Sequence, residues 1–182
     1  MNRFEECLSA TLGYEGGFSD EEGDHGGRTN LGITQGTLDS ARAGGIVSCL
    51  DVADLTVREA ADIYRARYWD VCKCGELFYG LDMAVFDSAV NHGTGGAGRL
   101  LQKTVNHLLG KRMLVLDGAI GPNTLKGVHE ALGKCARGHF LGSFLFHRFA
   151  FYLDIVNGHP DQRKFLLGWM RRLDDLVVRV GL

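Results

Sequence analysis

Helical periodicity limits what this chain can fold into more than any other feature. Apolar residues recur at three- and four-residue intervals along most of the sequence, beginning with Phe4, Leu8 and Leu12. That spacing places them on one face of an α-helix. Only residues 17–34, rich in glycine and acids, lack the period, and they have room for a short hairpin or wing. The fold is therefore predicted to be mainly α, with at most a very small sheet.

Local signals mark where several helices begin. Thr56 and Glu59 have the spacing of a capping box. Pro122 follows Gly121, as expected for proline in a first helical turn. Two long helices are predicted to close the chain, over roughly residues 136–157 and 162–179. No proline- or serine-rich linker interrupts the 182 residues, which indicates one domain with two lobes.

Charge is unevenly distributed although the formal net charge is only -2. Residues 1–91 hold 7 Lys and Arg against 16 Asp and Glu, whereas residues 92–182 hold 13 against 6. Two interpretations remain open, namely two solvated faces that attract each other and a basic surface that gathers an anionic polymer. The net charge indicates no nucleic-acid partner.

The N-terminal residues carry charges and lack the continuous apolar segment of a standard signal peptide. No apolar run reaches membrane-spanning length, so stable membrane insertion is not expected. We expect synthesis in the cytoplasm and, if the protein leaves, a route that the sequence does not encode.

The remaining composition argues against metals and cofactors. Five cysteines, an odd number at scattered positions, fit reduced thiols better than a disulfide framework. The seven histidines form no metal-binding motif, so neither a metal nor a cofactor is predicted. The glycines from Gly93 to Gly98 spell a dinucleotide-binding pattern, but a helix precedes them rather than a strand. We interpret them as a turn between helices.

Glu15 is the first candidate catalytic residue. If the first helix continues three residues beyond Leu12, the Glu15 carboxyl lies on the apolar face, where lost hydration raises its pKa. A general acid that works near neutral pH needs a raised pKa. Gly16 and Gly17 would then let another molecule approach the turn. The alternative is that Glu15 ends a helix on the surface, and spacing alone does not decide between them.

Asp24 and Thr29 follow in the same glycine-rich segment. A second carboxylate across a cleft can stabilise an oxocarbenium-like transition state or activate a water molecule, and a threonine hydroxyl can hold that water. The alternative is a solvated surface acid, which is the better interpretation for the other acids of the segment, Asp20, Glu21 and Glu22.

A set of motifs occurs in order over nearly the full length of the chain. They are E-G-G-F from Glu15, D-x-G-G-x-T-N-x-G-I-T from Asp24, Tyr64 with Tyr68-Trp69, F-D-x-A-V-N-x-G from Phe86, Leu101-Gln102, D-G-A-I-G-P from Asp117 with Thr124, and Gly168-Trp169 with Arg172. The ordered set is highly specific, and it resembles the family-108 glycoside hydrolases, the N-acetylmuramidases of bacteriophages and bacteria.

The resemblance implies a lysozyme-like, two-lobed helical fold with a small loop or β-wing next to the active site. Residues 1–92 would form the catalytic lobe, and residues 93–182 a helical lobe resembling a peptidoglycan-binding region. Glu15, Asp24 and Thr29 are similar to the Glu-Asp-Thr triad of phage lysozymes, with Glu15 as the acid. Two departures from the family pattern are His25, where proline is common, and Arg28, where a smaller or less basic residue is usual.

Three further residues are candidates for binding substrate. Asn30 can offer hydrogen bonds to hydroxyl and acetamido groups, whereas Thr34 beside it is better explained as a helix N-cap. Tyr68 can line the cleft, while Trp69 is predicted to be core. Asn91 and Asp87 share one face of an apolar helix, so both need polar partners. We assign Asn91 to the cleft and Asp87 to the structure.

The predicted function is cleavage of the β-1,4 bond between N-acetylmuramic acid and N-acetylglucosamine by a monomer. Its partner is the peptidoglycan glycan strand. The predicted setting is a phage or prophage endolysin, made in the host cytoplasm and released to the periplasmic wall by a separate holin. Alternatives are a muramidase that serves a secretion system, a lytic transglycosylase that uses the same Glu15, and a non-catalytic wall-binding module.

Overall fold

The computed structural model describes residues 2–13 and 28–182, and the chain divides into two compact units, residues 1–70 and 71–182. The described residues form eight α-helices and one two-stranded sheet, which confirms the prediction of a mainly helical fold with a small β-wing. The helices are α1 (Arg3–Leu12), α2 (Gln35–Ala43), α3 (Val57–Tyr64), α4 (Leu81–His92), α5 (Thr94–Leu109), α6 (Pro122–Leu132), α7 (Arg137–Gly158) and α8 (Leu166–Arg179). The strands are β1 (Thr29–Asn30) and β2 (Ile33–Thr34). None of the helices in these ranges combines the length and apolarity needed to cross a bilayer.

Side-chain caps fix the helices of the first unit. Asn2 and Glu5 form a capping box that begins α1, and Thr56 and Glu59 form the predicted one at α3. The apolar face of α1 buries Phe4 and Leu8, and the helix ends at Leu12. The ring of Phe4 packs edge-on against Trp69 at 5.5 Å, which confirms Trp69 as a core residue.

The β-wing is a hairpin whose turn has only two residues, Leu31 and Gly32. Both have positive φ angles, 51° and 72°, which suit the twist of a tight hairpin. A leucine rarely adopts this left-handed conformation. The Tyr64 hydroxyl donates a hydrogen bond of 3.0 Å to the Leu31 carbonyl, which holds the turn in place. Thr34 then accepts from the Thr37 backbone, which confirms it as the N-cap of α2.

The second unit is built around α4. Every residue from Leu81 to Ala89 is buried, and α5 and α7 pack against the helix. The last two helices of the unit are α7 and α8, and their residue ranges are close to those predicted for the two terminal helices. Because α4 is enclosed, its polar side chains must find partners inside the protein.

The glycines after α4 have a different role from the one predicted. Gly93 alone separates α4 from α5, and Gly95, Gly96 and Gly98 lie in the first turns of α5. A Cβ atom on Gly98 would lie 1.9 Å from the carbonyl oxygen of Gly118. The glycines therefore let the backbone of the loop before α6 pack directly on α5.

This contact generates a stability prediction. Gly98→Ala should destabilise the fold by about 1–3 kcal/mol or more, because the added methyl meets rigid backbone. Gly142→Ala is the matched control, since a Cβ atom on Gly142, which lies in α7, would have no neighbouring atom within 4 Å. The control should gain about 0.5–1 kcal/mol from better helix propensity. Thermal melts followed by circular dichroism separate the two; equal melting temperatures would contradict the close approach.

Candidate active site

The candidate acid Glu15 and the second carboxylate Asp24 lie outside the described residues. The structure describes the residues on either side of them. Before them, α1 ends at Leu12 and Gly13 caps it. After them, the Arg28 guanidinium pairs with Asp51 at 2.9 Å, and the Arg28 carbonyl accepts from the Gln35 backbone at 3.2 Å. Arg28, a departure from the family pattern, thus anchors the start of the hairpin.

Asp51 is suited to this anchoring role. The backbone N–H of Ala53 and then the Arg28 guanidinium hold the pKa of the Asp51 carboxyl below its usual value. The carboxylate therefore stays charged at neutral pH and keeps Arg28 paired.

Thr29 and Asn30 form β1, and both are half-buried. The Asn30 amide nitrogen donates to the Val52 carbonyl at 3.0 Å. That bond ties the hairpin to the short 3-10 turn Val52–Asp54. Asn30 is thus engaged within the fold, and substrate binding by this residue stays a prediction.

Tyr68 lies in a π-helical turn, Arg65–Trp69, that continues α3. Its half-exposed ring lies 5.7 Å from the ring of Tyr64, the residue whose hydroxyl binds the hairpin turn. Tyr64 therefore brings Tyr68 close to the hairpin that carries Thr29 and Asn30. Single π-helical turns are frequent at functional sites, and the predicted role of Tyr68 remains a prediction.

Asn91 lies at the end of a network of polar side chains in the second unit, called here the polar network. Its Oδ1 accepts a hydrogen bond of 2.9 Å from the Tyr152 hydroxyl. That hydroxyl accepts one of 2.8 Å from Nε of Arg148. Nη1 of Arg148 lies 2.7 Å from Oδ2 of Asp87. The polar network thus runs from the buried Asp87 carboxylate to the half-buried Asn91 amide.

Asp87 is the charged centre of the polar network. Its side chain is 2% exposed and is also paired with Arg172 at 2.9 Å. Burial by itself raises the pKa of the Asp87 carboxyl, but the two guanidinium groups outweigh it and leave the pKa lowered. Asp87 therefore stays ionised, which confirms its predicted structural role.

The polar network also determines the positions of the oxygen and the nitrogen in the Asn91 amide. The Tyr152 hydroxyl accepts from Arg148, so its own proton goes to Asn91, whose oxygen must be the acceptor. In the described part of the chain, the Asn91 amide nitrogen has no hydrogen-bond partner. Asn91 therefore presents a donor, which suits a hydroxyl or an acetamido carbonyl.

Aromatic rings from α8 and from the 3-10 turn before it, Pro160–Phe165, support this arrangement. The Trp169 ring stacks on Tyr152 at 5.2 Å, and the exposed ring of Phe165 stacks on Trp169 at 6.2 Å. Trp169 and Arg172 belong to the closing sequence motif, and both contact members of the polar network, Tyr152 and Asp87.

Sequence reasoning missed Arg148 and Tyr152. The signal was present, because Arg148 stands inside the aromatic run F-L-F-H-R-F-A-F-Y of a helix. A charge in such a run must be paired when the helix is buried.

His92 follows Asn91 and stays uncharged. Burial first, and then the nearby Arg148 charge, lower the pKa of His92 to about 3. Its ring lies 4.9 Å from Phe151 and contacts the Asn91 amide through Nδ1. Among residues 2–13 and 28–182 there is no cluster of three His, Cys, Asp or Glu side chains placed to hold a metal.

A pH dependence follows from His92. In the unfolded state His92 takes up a proton near pH 6.5, whereas in the folded state it does so only near pH 3. The free energy of unfolding therefore falls as the pH falls from 6.5 to 3. We expect wild type to lose roughly 1–3 kcal/mol between pH 7 and pH 4 through this group. His92→Phe keeps a ring against Phe151 and should flatten the curve measured by urea unfolding. Parallel curves for the two proteins would contradict this account.

Comparison with known proteins identifies the family. The model for glycosyl hydrolase 108 matches residues 8–93, and the model described as "Predicted Peptidoglycan domain" matches residues 97–174. Among solved structures, that of Brucella abortus SagA is 33% identical with a TM-score of 0.76, covering 97% of this chain and 92% of that chain. No curated protein matches the sequence significantly. The chain therefore belongs to the glycosyl hydrolase 108 family and is a peptidoglycan hydrolase with a C-terminal peptidoglycan-binding domain.

Proposed function

We propose that the chain is an N-acetylmuramidase, which hydrolyses the β-1,4 bond between N-acetylmuramic acid and N-acetylglucosamine. The observation that carries the proposal is the glycosyl hydrolase 108 match over residues 8–93, because that range contains Glu15, Asp24 and Thr29 in the Glu-Asp-Thr spacing of a lysozyme triad. The structure supports it by anchoring both sides of this segment, at the end of α1 and at the hairpin.

The proposed chemistry needs two carboxyl groups with opposite protonation. Protonated Glu15 donates to the glycosidic oxygen as the bond to carbon 1 of the muramic acid breaks. Positive charge develops on that ring, and the Asp24 carboxylate stabilises it or positions the attacking water with the Thr29 hydroxyl. Water adds its oxygen to carbon 1, and its released proton passes to a carboxylate.

Substrate is positioned, in this proposal, by Asn30, Tyr68 and Asn91. The Asn91 amide nitrogen is the best-defined donor of the three, since Tyr152 fixes the amide from behind. An acetamido carbonyl or a sugar hydroxyl is the matching acceptor. Residues 1–92 would carry catalysis, and residues 93–182 would bind the wall.

The proposed setting is a phage or prophage endolysin that acts as a monomer. It would be made in the host cytoplasm and reach the periplasmic wall when a separate holin opens the membrane. Service to a bacterial secretion system is the rival setting. Lysis timing in cells with and without a holin distinguishes the two.

Glu15→Gln tests the catalytic assignment. A general acid contributes about 10²–10⁴-fold to the rate, so release of reducing ends from purified sacculi should fall by that factor. Glu22→Gln is the matched control, because it neutralises another acid of the same segment. Comparable activity in the two variants would remove Glu15 from the catalytic role.

Asn91→Asp tests the substrate donor. The change keeps the oxygen that Tyr152 binds and replaces the donating nitrogen with an acceptor. We expect kcat/KM on sacculi to fall by on the order of tenfold. Because the new carboxylate also adds a half-buried charge, thermal melts check that the variant is folded at the assay temperature. Unchanged kcat/KM would place Asn91 outside the substrate site.

A further inference from the structure

A concavity of the second unit lies between the loop 110–121 and α6, beyond the residues assigned to catalysis. It has a volume of about 480 Å³. Its lining combines aliphatic side chains, Leu114, Val115 and Pro122, with polar ones, Asp117, Asn123 and Lys126. Ligand sites commonly combine an apolar wall with a few placed polar groups.

Two side-chain amides of α5 hold the loop that forms this wall. Gln102, 2% exposed, donates to the Asp117 carboxylate at 2.7 Å and to the Ala119 carbonyl at 3.1 Å, and it accepts from the Gly118 backbone at 2.9 Å. Asn106, one turn later, accepts from the backbone of Met113 and Leu114 and donates to the Leu114 carbonyl at 2.8 Å. The loop has no regular secondary structure and is nevertheless fixed at both ends.

This fixed loop exposes apolar side chains at its tip. Val115 is 78% exposed and Leu116 is 47% exposed. Exposed apolar side chains are common on protein surfaces, but here they belong to a rigid loop that lines a cavity. Such a loop is prepared for a ligand, because little ordering remains to be done on binding.

We propose that this cavity binds the stem peptide of peptidoglycan, rather than its glycan strand. The inference rests on the proposed function, since it assigns one part of the same substrate to the peptidoglycan-binding domain. The D-G-A-I-G-P motif then has a physical purpose, which is to build the cavity wall.

The chemistry of the lining favours the peptide. Sugar rings are usually bound by packing their C–H faces on flat aromatic rings, and the cavity-lining residues that the structure describes include no aromatic side chain. Stem peptides instead carry alanine methyl groups, free carboxylates and the amine of a diamino acid. The aliphatic wall fits the methyl groups, Lys126 a carboxylate and Asp117 the amine.

Asp117 is held ready for that contact. Hydrogen bonds from Gln102 and the Ala119 backbone lower the pKa of its carboxyl, so it is anionic at neutral pH. Lys126 projects from α6 as an exposed side chain, so replacing it leaves the loop network intact.

The test measures binding of soluble stem tetrapeptide to the full chain by isothermal titration calorimetry, with amidase-stripped glycan strands as the competing probe. Tetrapeptide should bind wild type, and Lys126→Ala should weaken it by roughly fivefold, the effect of losing one ion pair of about 1 kcal/mol. Lys134→Ala, an exposed lysine away from the cavity lining, should bind as wild type does.

The readout is independent of bond cleavage, so an inactive enzyme would not affect it. Binding of stripped glycan strands but not of tetrapeptide overturns the proposal, as does binding of neither. Equal weakening by Lys126→Ala and Lys134→Ala also overturns it, because the effect would then be general charge. Equal melting temperatures of the three proteins ensure that folding does not account for a loss.

Discussion

A carboxylate buried between two guanidinium groups is the interaction on which the second unit depends. Asp87 from α4 pairs with Arg148 from α7 and Arg172 from α8, so one charge joins three helices. Removing a partner from such a pair typically costs about 3–5 kcal/mol, because an uncompensated charge stays buried. Burial, and then the charge of Arg148 in this cluster, keep His92 neutral. Through Tyr152 the cluster also orients the Asn91 amide. Packing, electrostatics and a proposed substrate contact thus share one origin.

The cluster also joins the two family-matched regions. Asp87 and Asn91 lie in the hydrolase match over 8–93, whereas Arg148, Tyr152 and Arg172 lie in the peptidoglycan-domain match over 97–174. The orientation of a residue in the first region is therefore determined by side chains of the second. The compact unit 71–182 contains both α4 and the C-terminal helices that carry these partners.

Local features of the fold were predictable, and distant pairings were not. Caps at Thr34 and Thr56 and the proline at Pro122 depend on neighbours within a few residues, so their spacing is visible in the sequence. Asp87 and Asn91 were seen to need partners, but those partners lie 85 and 61 residues away in the chain. The sequence predicts a turn for the glycines near Gly98, whereas they lie within α5. A close backbone approach between distant segments leaves the same local signal as a turn.

The reaction proposed for this enzyme adds water to carbon 1 of N-acetylmuramic acid. Digestion of purified sacculi by the wild-type protein in H₂¹⁸O, followed by mass spectrometry of the released muropeptides, tests this most directly. Each product should carry one ¹⁸O atom at a reducing N-acetylmuramic acid end. Unlabelled anhydro-muramic acid ends would show that the substrate's own hydroxyl replaces water, and label at reducing N-acetylglucosamine ends would show that the other glycosidic bond is cleaved. Either result would contradict the proposed reaction.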